Sequence, residues 1–134
     1  SNKELTFLET RYAERTRILR ELFPWDDPNY GIDERWATFY PYGNILKPGE
    51  TREIEVRISN HSPIQRIFRV TPRDHRGAKV LSGPQSITLA SRGDGAIKVK
   101  IQAPKEKGVY VITADIDSKD MHFRDWIETI IEVK

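Results

Sequence analysis

Glu53-Ile54-Glu55-Val56-Arg57-Ile58 alternates charged and β-branched residues without a break. A period of two puts Ile54, Val56 and Ile58 on one face of a strand and the charges on the other, the pattern of a sheet with one dry and one wet side. The alternation returns at Ile97, Val99 and Ile101 against Lys98 and Lys100, and more briefly at Ile87 and Leu89. Tyr110, Ile112, Ala114 and Ile116 make a further strand, and Ile127, Ile131 and Val133 against Glu128 and Glu132 make the last. Phe39 to Tyr42 and Ile64 to Val70 add two segments of less regular alternation, seven candidate strands in all. Turn-forming stretches separate them: Lys47-Pro48-Gly49-Glu50, Asn60-His61-Ser62-Pro63, Pro72 to Gly77, Ser82-Gly83-Pro84, Arg92-Gly93-Asp94-Gly95, Lys105 to Gly108 and Asp117 to Asp120. Short strands at this spacing predict an all-β, seven-stranded sandwich of the immunoglobulin or fibronectin III kind over residues 36–134.

Upstream the period changes. Lys3 to Phe23 contains no Gly or Pro, and Leu5, Leu8, Tyr12, Leu19 and Leu22 recur at three-four spacing, with Arg15 interrupting the stripe. Glu4, Glu9 and Glu14 precede Arg15, Arg17 and Arg20, an order that suits the helix dipole, and Pro24 ends the helix. The expected organisation is a packing helix over residues 1–24, a turn-rich linker over 25–35 and the sandwich over 36–134. The leucine stripe is expected to bury against the sandwich or against a second copy of the chain.

Composition narrows the chemistry. The 134 residues contain no Cys, which excludes disulfides, thiol nucleophiles and Cys-ligated metals. Apolar residues make up 37% and charged residues 31%, the mixture of a folding chain. Twenty-two Lys and Arg stand against 20 Asp and Glu, a net charge of +2 that argues against nucleic acid as a partner. Apolar runs are too short for a membrane span or a signal peptide, so the expectation is a cytoplasmic protein without membrane contact.

The three histidines, His61, His75 and His122, show no chelating spacing and read as turn residues. Asp115, Asp117, Asp120 and Asp125 cluster near the last hairpin but fit no calcium loop, and read as a solvated turn. Neither a phosphate-binding Gly loop nor a nucleophile elbow is present. No catalytic, cofactor-binding or metal residue is therefore assigned, and no cofactor is expected. Arg66, Arg69, Arg73, Arg76 and Lys79 form the densest basic stretch. It reads as the outer face of a strand running into a loop, with contact to phosphate or an acidic partner as its functional alternative.

Trp25, Tyr30, Trp36, Phe39, Tyr40 and Tyr42 fall within 18 residues. Such a cluster fixes a helix to a sandwich by burying large rings, or else offers flat faces to sugars. These six are the candidate junction or interaction residues.

Asn29-Tyr30-Gly31-Ile32-Asp33-Glu34-Arg35-Trp36, then Tyr40-Pro41-Tyr42, Lys47-Pro48-Gly49-Glu50, a strand ending in Asn60-His61, and late Val111-Ile112-Thr113-Ala114-Asp115 together carry a resemblance. They resemble the C-terminal Ig-like accessory domain of metallo-β-lactamase-fold hydrolases, over nearly the whole chain from about Leu5. Glu34 stands where that family's first turn motif has Pro. The resemblance implies a partner, the N-terminal catalytic domain of the same polypeptide. Its His-x-His-x-Asp-His zinc motif is absent from these residues, so what it implies for this chain is a non-catalytic module of a longer enzyme. Two further readings stand beside it: a glycan- or surface-binding sandwich using the Trp25–Tyr42 aromatics, and an enzyme whose metal site gathers His61, His75, Asp115 and His122.

Overall fold

A computed structural model describes residues 2–22, 36–75, 77–119 and 121–134; within the helix, the side chains of Asn2, Tyr12, Arg15, Thr16 and residues 18–22 lie outside the description. The expected 25–35 linker with Trp25 and Tyr30, together with Arg76, Asp120 and the side chains of Tyr12, Leu19 and Leu22, fall outside the described residues.

The helix α1 runs Asn2–Leu22 and nine strands follow: β1 (Ala37–Tyr40), β2 (Gly43–Leu46), β3 (Thr51–Ser59), β4 (Arg66–Arg73), β5 (Lys79–Val80), β6 (Gln85–Leu89), β7 (Asp94–Gln102), β8 (Gly108–Ser118) and β9 (Met121–Val133). They form a four-stranded sheet in the order β1-β3-β7-β5 and a five-stranded sheet in the order β2-β9-β8-β4-β6. The all-β sandwich with an N-terminal helix is as expected, but the described residues hold nine strands, not seven.

Two strands account for the difference. The segment expected at Phe39–Tyr42 ends at Pro41, which has no N–H for a ladder, and the Tyr40–Pro41 peptide is cis. The chain then changes sheets: β1 pairs antiparallel with β3, whereas β2 pairs parallel with β9. β2 hid from the alternation because one of its two inward positions is a buried Asn44. Its Nδ2 donates to Thr129 Oγ1 at 2.8 Å and to the Ile130 carbonyl at 3.2 Å, so its amide N–H groups are satisfied, while Oδ1 has no partner among the described residues. β5 is only two residues long, too short for any period. The turn expected from Pro72 also begins later, since Pro72 and Arg73 still pair with Ala114 and Thr113.

The opening motif behaves as its pattern requires. Ile54 and Val56 stand opposite Val99 and Ile97, and all are buried. On the outer face Glu53 lies opposite Lys100 and Glu55 opposite Lys98, a ladder of opposite charges that supports the pairing modestly. The five-stranded sheet contributes Phe68, Val70, Ile112, Ala114, Ile116, Ile127 and Ile131 to the same core. Trp36 closes one end of it against Phe68, Phe123 and Trp126, with ring centroids 5.4–6.1 Å away. Asn60 locks two loops beside that end, donating to the carbonyls of Ile64, Leu89 and Ala90 and accepting from the Ser62 N–H.

Candidate functional site

Residues of β8 and β9 whose neighbours point into the core project outward, and the outer face of the five-stranded sheet has two halves. On the β8–β9 half, side chains of α1 meet the sheet. Glu128, opposite Thr113 on that face, is buried, and Arg11 of α1 donates to its carboxylate in a buried ion pair. Phe7, one turn earlier, stacks on His75 at 5.0 Å and 30°. Between α1 and the strand, Phe7, Thr10, Arg11 and Glu14 face His122–Trp126 across a crevice of about 410 Å³.

The described side chains of α1 that meet the sandwich are therefore Phe7 and Arg11, not Leu5. At about 100° per residue, Leu5 stands about 120° from Arg11 and about 160° from Phe7 around the helix. Leu5 is 59% exposed and Leu8 half-buried. Of the two covers expected for the stripe, the sandwich does not supply one at Leu5: it takes a buried cation and a stacked ring instead, because it offers a buried Glu128 and His75 in return.

Beneath the crevice β9 carries an irregularity. Ala114 pairs with Ile127 but Ile116 with Phe123, so β9 holds two extra residues and Asp125 adopts φ 47°. The turned-out segment is fixed from β8: Asp115 Oδ1 accepts the Asp125 N–H at 2.8 Å, and Thr113 Oγ1 donates to Asp125 Oδ1 at 2.6 Å. Arg73 Nη1 donates to the other Asp115 oxygen at 2.9 Å. Arg124 grips Asp117 with both terminal nitrogens at 3.1 and 2.8 Å, and His122 Nδ1 lies 2.6 Å from the same carboxylate. The Arg124 hydrogen bond, aided by His122, holds the Asp117 carboxyl below its ordinary range against a smaller opposing effect of burial. Asp115 and Asp117 likewise raise Arg73 and Arg124. These pairs fasten the turned-out segment of β9 to β8 and β4.

The β4–β6 half is open. Ile64, Gln65, Arg66, Ile67 and Arg69, with Ser86 of β6 and Asp117-Ser118-Lys119 at the end of β8, line a cavity of about 460 Å³. Ile64 and Ile67 are 50% and 59% exposed. Ile64, expected inside a strand, instead lies in the loop before β4.

The basic stretch thus divides. Arg66 and Arg69 line the open cavity, Arg73 is taken by Asp115, and Lys79 goes to the edge of the other sheet. The aromatic candidates divide too. Trp36 and Phe39 are core residues, each 3% exposed, and have no face for a sugar. Tyr40 and Tyr42 are exposed, and the Arg57 guanidinium covers the Tyr40 ring at 3.6 Å. The histidines do not meet: His61 gives its carbonyl to Arg92, His75 stacks on Phe7 and His122 faces Asp117. Among the described residues no group of three or more His, Asp or Glu gathers as a metal site. No described helix is long and apolar enough to cross a membrane. Phe7, Arg11, Ile67, Ser118 and Lys119 were not singled out from sequence, since each matters only through a partner far along the chain.

No protein-family model and no curated protein matches the sequence. Solved structures do resemble the fold. Native alpha-2-macroglobulin from Escherichia coli is similar at TM-score 0.61 and 18% identity, over 73% of this chain and 6% of that one. The same protein from domain MG7 to its C-terminus matches at 0.61 and 17%, over 73% of this chain and 16% of that one. A family 123 glycoside hydrolase from Clostridium perfringens matches at 0.50 and 9% identity, over 72% of this chain and 22% of that one. The chain spans a small part of each of these proteins, and the likeness is one of fold: an Ig-like β-sandwich.

Proposed function

We propose that the chain is a non-catalytic Ig-like interaction module. The observation that carries the reading is the division of labour on α1. One sector meets the sandwich through Phe7 and the Arg11–Glu128 pair, while Leu5 of the leucine stripe stays exposed. A helix pinned to a sandwich by one buried ion pair while keeping an exposed leucine is placed to seat a neighbour.

The finer reading, that the neighbour is the N-terminal catalytic domain of a metallo-β-lactamase-fold hydrolase, rests on the sequence resemblance. A second copy of the chain seated on Leu5 and Leu8 is the competing occupant. In this reading the chain itself holds no cofactor and the chemistry belongs to the parent enzyme.

Two measurements test it. Purified chain supplied with zinc should turn over neither thioester nor lactam substrates, and sustained zinc-dependent turnover overturns the module reading. The reading frame upstream of Lys3 should encode a His-x-His-x-Asp-His domain, and any other domain there removes the finer reading.

A further inference from the structure

We propose that the open cavity on the β4–β6 half of the five-stranded sheet binds a short acidic peptide segment carrying an apolar side chain. This names a partner class for the interaction module and rests on that reading, though on a different face from the leucine stripe.

The argument begins with charge. Arg69 on β4 stands directly opposite Asp117 on β8, the natural cross-strand ion pair. That pair is not made, because Asp117 is already held by Arg124 and His122. Among the described residues the Arg69 guanidinium and the Lys119 ammonium have no hydrogen-bond or ion-pair partner, and both line the same cavity, with Arg66 beside them. The single lining carboxylate among the described residues is therefore spent, and the cavity is cationic.

A second, independent feature is Ser118. Its hydroxyl is buried, has no partner among the described residues and belongs to a residue of the cavity wall. A buried hydroxyl without a partner costs stability, a cost that a small shift of the wall toward a ligand acceptor would relieve. The third is apolar. Ile64 and Ile67 expose half their surface or more into the lining, where a free anion such as phosphate would gain nothing from them.

Shape and composition select among anionic partners. A concave site of about 460 Å³ suits a few side chains. A membrane surface would call for a larger basic cluster, roughly four to eight residues. Single-stranded nucleic acid would call for stacking aromatics, of which the lining has none. Carboxylates set around one aliphatic or aromatic side chain match all three features.

The test uses a fluorescein-labelled Glu-Glu-Leu-Glu-Glu peptide, its Lys-Lys-Leu-Lys-Lys counterpart, inorganic phosphate and phosphatidylserine-rich vesicles, with binding read by anisotropy and co-sedimentation. The acidic peptide should bind saturably and the basic one should not. Arg69→Gln combined with Lys119→Asn should weaken binding about tenfold, the scale of a lost charge-assisted contact. Asn is chosen because Lys119 has φ 53°, which Asn tolerates. Ile67→Ser should weaken binding about threefold, and Lys98→Gln, which removes the same charge from the other sheet, should leave it unchanged. Circular dichroism confirms that each variant is folded. The proposal is overturned by no saturable binding, by equal weakening in Lys98→Gln, by phosphate competing as well as unlabelled peptide, or by vesicles binding where the peptide does not. Absent peptide binding without hydrolytic turnover removes this inference and leaves the module reading intact, whereas turnover removes the module reading whatever the peptide does.

Discussion

The two halves of one sheet face differ in how their charges are used. Under α1, each described carboxylate of β8 and β9 near the bulge meets a cation, a hydroxyl or a backbone N–H: Glu128 meets Arg11, Asp115 meets Arg73, Asp117 meets Arg124 and Asp125 meets Thr113. Over β4 and β6, Arg69 and Lys119 meet nothing among the described residues, and two isoleucines face solvent. Both halves belong to the same sheet and rest on the same core, so the core does not require the difference. A saturated face holds an element of its own chain, and an unsaturated one is left with interactions to offer.

The largest way to break the contrast is to unsaturate the covered half. Glu128→Ala leaves the Arg11 charge buried without its carboxylate, a change of about 3–5 kcal/mol where the surroundings cannot relax. Here α1 can lift away, so the loss in urea-unfolding free energy should stop at the docking energy of the helix. Amide exchange across residues 2–22 should rise at the same time. Arg11→Met with Glu128→Leu removes both charges and should recover most of the loss, since apolar groups of similar volume replace a buried pair without penalty. An unchanged exchange pattern in Glu128→Ala would mean that α1 is held by something other than this pair.

Next in size is Phe7→Ala. It removes a half-buried ring stacked on His75 and should cost about 1–2 kcal/mol, measured by thermal or urea unfolding. Leu5→Ala, on the exposed stripe, should cost under about 0.5 kcal/mol in the isolated chain. A reversed order would place the leucine stripe against the sandwich after all.

How much of this was legible depends on sequence distance. The alternation at Ile54–Ile58 and Ile97–Ile101 announced β3 and β7 because burial of one face repeats every second residue and needs no knowledge of the partner. β2 did not announce itself, since Asn44 is buried by a hydrogen bond to Thr129, 85 residues away. The helix was legible as a helix, but its packing face was not. The leucines outweigh Phe7 and Arg11 in any apolar count, and what draws Arg11 inward is Glu128, 117 residues downstream. For the open cavity, Arg66 and Arg69 stood out as a basic stretch. Their convergence with Lys119 comes from the pairing of β4 with β8, which no local pattern encodes.

A smaller effect tests the saturated half by pH. Asp117 is held below its ordinary value of 3.8, first by the Arg124 hydrogen bond and then by His122, against desolvation. A carboxyl depressed in the folded state contributes stability above its unfolded value and loses it as pH falls through the folded one. Wild type should therefore exceed Arg124→Gln by at most about 1 kcal/mol at neutral pH, the scale of an exposed pair. The gap should close below pH 3.8 and shrink in high salt. A gap that survives acid would assign Arg124 a packing role instead.

The smallest expected effect is the most pointed. Ile67→Ser and Arg69→Gln change exposed residues, Arg69 having no polar partner among the described residues, so each should shift the unfolding free energy by under about 0.5 kcal/mol. Residues that stabilise nothing, in a wall where a neighbouring carboxylate has been diverted to Arg124, are what separates the open half from the covered one. If either substitution instead destabilises the chain by more than about 1 kcal/mol, the residue is part of the fold's own bonding and the two halves are alike. If stability holds while acidic-peptide binding falls, the same side chains that are idle in folding are active in recognition, and the asymmetry of the sheet is functional.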